Sequence, residues 1–392
     1  MWGYDDENNL GTEQARNADI YQWNFGIQHL FPWEITIGVD YSANRSTHLS
    51  WGSYGTGTRN QNFIPSSVAK NYTTDQLNAL VPNPFQSFFV GPNAIFNQPD
   101  SRYNDPTIPL LNLLRPYPQF DGEFDGFPNL GANSRYDSMQ LRFEKRTGKY
   151  FTIQGSYTLS RNTDDISSGN NSWVGWYSVG GPQALDQLKN ETSLSANNAT
   201  HRVAAAFTAQ IPVGRGLLIG NNMNRVLDTV IGGWSASSNV TLQSGQPVAI
   251  RMSINRLADG SQRPNVTCAN PGTGISFHTA AAALLNGASS GFSVFNPNCF
   301  ADPGDQQLGN APRYFDNLFS QGINNVDLAL RKQINIREGM KFQVRLEGFN
   351  AFNRTRFDRA NYQFGSGGFG QVTSLASGWH ARQIQVVARF EF

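Results

Sequence analysis

The chain has 392 residues, 30 Lys+Arg against 29 Asp+Glu, a formal net charge of +1 and 15% charged residues. That balance gives no electrostatic reason to expect a nucleic-acid partner, and no run of eighteen apolar residues exists to form a transmembrane helix. A mean hydropathy of −0.43 does not exclude a membrane, because transmembrane barrels alternate apolar and polar residues and average out as polar.

Along the chain, the opening MWGYDDENNL is acidic and lacks both a basic stretch and an apolar run, so it does not read as a signal peptide. Nine segments then alternate with period two, as a strand with one apolar and one wet face does. In IYQWNFGIQHLF, Tyr21, Trp23, Phe25 and Ile27 share one face, with Gln22, Asn24 and Gln28 opposite. After Pro32, EITIGVDYSAN sets Ile35, Ile37, Val39 and Tyr41 against Thr36, Asp40 and Ser42. DSMQLRFEKR sets Met139, Leu141 and Phe143 against Gln140, Arg142 and Glu144. Past a turn at Thr147-Gly148-Lys149, YFTIQGSYTLS sets Phe151, Ile153, Tyr157 and Leu159 against Thr152, Gln154 and Thr158. HRVAAAFTAQI carries Val203, Ala205, Phe207, Ala209 and Ile211; GWSASSNVTLQSG carries Trp234, Ala236, Val240 and Leu242. NNVDLALRKQ carries Val326, Leu328 and Leu330, and MKFQVRLEGF sets Met340, Phe342, Val344 and Leu346 against Lys341, Gln343, Arg345 and Glu347. The chain closes on ARQIQVVARFEF, where Ile384, Val386, Ala388, Phe390 and Phe392 take alternate positions.

Connection lengths alternate. Short or medium links (Phe31-Pro32-Trp33, Thr147-Gly148-Lys149, PVGRGLLIGNNMNRVLDTVIGG, NIREG) fall at one end of the strands. Long stretches, near 50–133, 161–200 and 246–321 and the segment NRTRFDRANYQFGSGGFGQVTSLASG from Asn353, fall at the other. Transmembrane barrels do this, with short periplasmic turns and long outer loops. A strand of about eleven residues at roughly 3.3 Å each, tilted by roughly 45°, covers about 26 Å, close to the apolar band of such a barrel. Two architectures satisfy the pattern. A soluble sandwich, such as a secreted or surface carbohydrate-binding or adhesive module, would bury the apolar faces. A transmembrane barrel would turn them to lipid, and the long, aromatic-rich strands favour it. Within the long loops, TTDQLNALVPNPF predicts a short helix with Thr74 or Asp75 as N-cap, ended by Pro82, and SFHTAAAALLNG a helical turn closed by Gly287. No low-complexity linker divides residues 1–392, which read as one domain.

Candidate chemistry is sparse. GRGLLIG, Gly214–Gly220, has the wrong spacing for a phosphate loop and reads as a turn. His29, His48, His201, His278 and His380 are scattered, with no pair at metal-ligand spacing. NTDDISSGNN holds Asp164 and Asp165 without the spacing of a calcium loop, and no G-x-S-x-G occurs. No catalytic residue, metal site or cofactor is assigned, and the chain is not read as an enzyme.

The phrases YQWNFGIQHLFP, LVPNPF, LLRPYPQF, SMQLRFEKR, GSYTLSRNTDD, HRVAAAFTAQIPVGRG, IGGWSASSNVTLQSGQP, EGFNAFNRTRF and ARQIQVVARFEF run in this order from about Ile20 to Phe392. Each is weak alone. As an ordered set they resemble the C-terminal barrel portion of TonB-dependent outer-membrane transporters, above all the Oar-like type that carries a carboxypeptidase-regulatory-like domain. The resemblance implies an all-β fold: the C-terminal part of a large antiparallel transmembrane barrel, which in these transporters has about 22 strands around a plugged lumen. Plug, regulatory-like domain, signal peptide and TonB-contacting segment are not found, so the chain is expected to be a piece of a Gram-negative receptor that takes up a scarce substrate. Its implied partners are outer-membrane lipid, TonB through the missing N-terminal part, the unidentified substrate, and the barrel-assembly machinery. That machinery would read Ile384, Val386, Ala388, Phe390 and Phe392 as an assembly signal. Cys268 and Cys299 share one outer loop, where oxidising surroundings would pair them.

Overall fold

The computed structural model describes residues 17–49, 58–60, 62–86, 88, 104–119, 125–128, 131–147, 150–165, 182–285, 292–337 and 339–392. The opening MWGYDDENNL, the turn residues Gly148 and Lys149, most of NTDDISSGNN and the expected closing glycine Gly287 lie outside the described residues.

The alternating segments form one antiparallel meander. Its strands are β1 (Asp19–Phe31), β2 (Ile35–Leu49), β3 (Ala132–Thr147), β4 (Phe151–Asp164), β5 (His201–Gln210), β6 (Trp234–Gln243), β7 (Ile323–Arg337), β8 (Met340–Phe349) and β9 (Gln383–Glu391), each hydrogen-bonded to the next. A two-residue strand, Ser193–Leu194, adds to the far end of β4. Strand lengths of 9 to 16 residues exceed the ~5–6 usual in soluble sheets.

The register carries side-chain parity from strand to strand. One row runs Ile27, Val39, Leu141, Tyr157, Val203, Leu242. Another runs Phe151, Ala209, Ala236, Leu330, Leu346, Val386. The opposite face reads Asp40, Gln140, Thr158, Arg202, Gln243 in one row and Ser237, Ala329, Glu347, Gln385 in another. A one-residue slip anywhere would exchange the two faces, so the alternation itself fixes the register.

Among the described residues, nothing covers the apolar face. Phe25 is 66% exposed, Ile384 67% and Val386 67%. A soluble sandwich would bury these rows under a second sheet, and no other described sheet has more than two strands. Aromatic residues gather at both ends of this face: Tyr21 and Trp23 toward the long loops, and Phe31, Trp33, Trp234 and Phe390 toward the short turns. Amphipathic rings favour such boundaries between apolar and wet surroundings. No described helix is long and apolar enough to cross a membrane, a fact that bears on helices alone and not on crossing by strands.

The buried apolar core lies in the long loops rather than against the sheet. Val248, Ile250, Phe295, Phe300, Phe315, Leu318, Phe357, Phe369 and Val372 form its main cluster, drawn from the β6–β7 and β8–β9 connections. Phe369 centres an aromatic group, with ring centroids 5.5 Å from Phe295, 5.5 Å from Phe300 and 5.4 Å from Phe364. A smaller cluster holds Ile64, Ala69 and Leu77 of the β2–β3 connection against Ala258. Its helix α1 (Thr74–Asn78) starts one residue earlier than the sequence predicts. Thr73, not Thr74 or Asp75, is the N-cap, because its hydroxyl accepts from the Gln76 N–H while the Gln76 side chain accepts from the Thr73 N–H. The helix also ends at Asn78, and Leu80–Pro82 leaves it as a strand paired with Thr107–Pro109. Helix α2 (Arg225–Ile231) lies in the β5–β6 connection at the short-turn end, and α3 (Phe277–Leu285) in the β6–β7 loop.

Candidate functional site

Two features can act on a solute: the polar face of the wall and the loop cap at its long-loop end. On the polar face, oppositely charged neighbours pair across and along the strands. Arg142 Nε lies 3.3 Å from Asp40, Arg345 Nε 3.1 Å from Glu347, and Arg389 Nε 3.1 Å from Glu391. A groove of about 560 Å³ crosses the middle of this face, bordered by Arg142, Glu144, Gln154, Asn239 and Thr241. Small residues at Ser156, Ala204 and Ala206 keep its floor low. A larger hollow of about 810 Å³ sits at the short-turn end between Gln210, Arg215, Arg225, Arg331 and Gln333. The surface is thus rich in donors and acceptors from end to end, and suits a hydrated solute or a polar protein segment rather than an apolar ligand.

The cap is tied by buried charge. Glu191, 3% exposed, accepts from Arg263 Nη1 and Nη2, both at 2.8 Å, and from the Gln183 N–H at 3.1 Å. Arg313 donates from Nε to the Glu191 carbonyl at 3.0 Å and pairs through Nη2 with Asp164 at the end of β4. Gln183 spans the gap to the β6–β7 loop, donating to the Gly309 carbonyl (2.8 Å) and accepting from the N–H groups of Gly309 and Arg263 (both 3.0 Å). Two glycines permit this approach. A Cβ at Gly309 would lie 2.0 Å from the Arg263 carbonyl oxygen, and one at Gly260 (φ +104°) 2.2 Å from that of Gln183.

The β2–β3 loop is fastened to the same body. Asp259 accepts from the Ile64 N–H at 2.8 Å and pairs with Arg115 at 3.3 Å; Asp186 accepts from the N–H and hydroxyl of Ser66, both at 3.0 Å. On the β8–β9 side, left-handed Asn350 accepts from the Arg354 N–H (2.8 Å) and donates to the Arg354 and His380 carbonyls (2.9 and 3.0 Å). Four long connections therefore converge on one packed cap. A bidentate, desolvated Arg–carboxylate pair fixes geometry more than it adds net stability, since its desolvation offsets much of the attraction.

The residues singled out in the sequence are placed as follows. Cys268 and Cys299 form a disulfide within the β6–β7 loop, Cα atoms 5.1 Å apart, with Cys299 inside the main cap cluster. Ile384, Val386, Ala388 and Phe390 of β9 stand opposite Gly348, Leu346, Val344 and Phe342 on the apolar face, and Phe392 follows the strand, exposed. Gly214–Gly220 forms a turn bridged between Val213 and Ile219. The histidines stay apart: His48 lies 3.0 Å from Asp19, His201 lies 2.8 Å from the Tyr157 hydroxyl, and His278 meets the Phe357 ring edge. Sequence reasoning missed the cap and its Glu191–Arg263–Arg313 network. No periodic signal marks it, only short apolar groups such as PVAI and YFDNLF.

A wall of long strands, apolar outside and polar inside, with long connections gathered at one end, defines a transmembrane β-barrel wall. The chain belongs to the outer membrane beta barrel domain family, whose model matches residues 9–385, and it resides in the outer membrane. None of the curated proteins matches it. Among solved structures it is similar to FpvA of Pseudomonas aeruginosa bound to a heterologous pyoverdine–iron complex, at 10% identity and TM-score 0.39, over 100% of this chain and 29% of that one. It is likewise similar to the ferripyoverdine receptor of the outer membrane of Pseudomonas aeruginosa bound to ferripyoverdine, at 8% identity and TM-score 0.39, with the same coverage. The chain thus spans 29% of the length of these solved receptors.

Proposed function

We propose that this chain supplies wall strands and outer loops to a TonB-dependent receptor of the Oar-like type, which takes up a scarce substrate across the outer membrane and performs no catalysis itself. The observation that carries the reading is the state of the sheet's edges. Among the described residues β1 pairs only with β2, and β9 only with β8. Backbone groups left unpaired in hydrocarbon cost several kcal/mol each, so in the membrane these edges are closed by further strands, here assigned to the rest of a larger polypeptide. The ordered phrases from YQWNFGIQHLFP to ARQIQVVARFEF support the receptor type. In this reading the polar groove and hollow face the lumen, where a plug segment and the substrate sit. The loop cap forms the outer rim that meets substrate first, and Phe392 lies at the periplasmic rim, where the barrel-assembly machinery engages β9.

The test uses the full-length protein purified in detergent. It is mixed with the periplasmic domain of TonB, and the complex is sought by analytical ultracentrifugation. A stoichiometric complex that a peptide of the receptor's own N-terminal segment competes away is expected. Absence of any complex would overturn the TonB-dependent reading and leave a barrel of another kind.

A further inference from the structure

The β5–β6 connection differs from the other short-turn links. It holds 23 residues between Gln210 and Trp234 and carries α2. Asn224 caps the helix, its side chain accepting from the Leu227 N–H at 2.7 Å. The helix is two-sided. Arg225, Asp228 and Thr229 line the polar hollow on the inner side. The side chains of Val226 (78% exposed), Leu227 and Val230 (63% exposed) are left exposed by the described residues, as is that of Leu218 (72% exposed) on the preceding turn.

The C-terminal turn of α2 is fastened to the outward side of the wall. Trp234 and Lys332 are register partners in an outward row that continues to Val344 and Ala388. Both reach the end of the helix. Trp234 Nε1 donates to the Val230 carbonyl at 3.1 Å; Lys332 Nζ donates to the same carbonyl at 3.2 Å and to that of Gly232. The ammonium also lies 5.4 Å from the Trp234 ring centroid. A lysine on the outward face is costly unless desolvation is compensated, and helix C-terminal carbonyls with a ring face supply that compensation. Arg225 Nη2 fixes the other end, donating to the Ile336 carbonyl at 2.8 Å.

We infer that α2 and the preceding turn form an interfacial anchor that lies in the periplasmic leaflet and inserts Leu218, Val226 and Val230 at the boundary between headgroups and acyl chains. The occupant of this surface is phospholipid, because α2 is joined directly to the lipid-facing wall: Trp234 and Ile336 belong to wall strands and are hydrogen-bonded to Val230 and Arg225 of the helix. An amphipathic helix in this setting buries its apolar side in the interface and keeps its polar side wet, here toward the lumenal hollow.

The test places single nitroxide labels at Val226, Val230, Thr229 and Leu346 of the full-length protein, reconstituted in phosphatidylethanolamine–phosphatidylglycerol vesicles. Collision rates with oxygen, which partitions into lipid, and with a neutral nickel chelate, which stays in water, are read by power saturation. The expected oxygen-to-nickel ratio at 226 and 230 is severalfold above that at 229 and approaches that at 346. Ratios at 226 and 230 as low as at 229 would overturn the anchor, and so would exclusion of both reagents, which means protein covers the patch. Leu346 reports the wall independently, so a failure of the anchor is distinguishable from a failure of the barrel. Labelling after folding, with heat-modifiable migration as the check, separates these outcomes from misfolding.

Discussion

At the scale of single residues, Glu191 carries the most. Its carboxylate holds the Arg263 guanidinium in a place where neither is solvated. Removing one member of such a pair leaves a buried charge and costs roughly 3–5 kcal/mol, whereas replacing both with apolar residues is often close to neutral. Glu191→Ala should therefore loosen the cap, and the double variant Glu191→Leu with Arg263→Met should recover most of the loss. Trypsin cleavage of the outer loops on intact cells reads this: rapid cleavage is expected for the single variant and near wild-type resistance for the double. Equal cleavage of all three would show that the pair does not fix the loops. At the other end, deletion of Phe392 should lower the yield of folded barrel, measured by heat-modifiable migration, if the end of β9 is what the assembly machinery engages. An unchanged yield would remove that role. The parity of these residues was legible from period two, because alternation on a pleated strand maps directly onto faces. Glu191 was not legible. A lone carboxylate in a loop looks solvated until the distant Arg263 and Arg313 are brought to it.

At the scale of elements, the strands and the loops stand in contrast. All nine strands and the alternation of connection lengths follow from the pattern, since each strand is specified locally by its own apolar face. The cap is not, because its core is assembled from PVAI, SVFNPNCF, YFDNLF and YQFGSGGFGQV, none of which buries anything alone. Helix α2 had a readable signal: Asn224 before a seven-residue stretch with Val226 and Val230 one turn apart, closed by Gly232 and Gly233. The disulfide within the β6–β7 loop clips one part of the cap to another. Chain-entropy arguments place its contribution at about 3–4 kcal/mol for a loop of this length. Membrane-impermeant maleimide should not label Cys268 or Cys299 on intact cells until reductant is added. Labelling without reductant would show the pair open at the surface. Replacing both cysteines by serine should raise the protease sensitivity of the β6–β7 loop while leaving the heat-modifiable wall intact.

At the scale of the whole molecule, an apolar core in the loops and an apolar skin on the sheet invert the layout of a soluble β protein. That inversion follows from the solvent. Water buries apolar side chains in the cap, while lipid leaves no such drive on the wall and instead requires every backbone group to be paired. The most direct test takes the neighbouring positions Arg345 and Leu346 in β8, which share strand, depth and sequence context and differ only in parity. Leu346 stands in the outward row with Leu330 and Val386; Arg345 stands in the inward row with Arg331 and Val387. A fluorophore is attached to a single cysteine at each position in the full-length protein, and the protein is reconstituted with lipid carrying a quencher on its acyl chain. Strong quenching at 346 with little at 345 is the result the barrel predicts. Equal quenching at the two positions, or none in a protein that remains soluble without lipid, would contradict it.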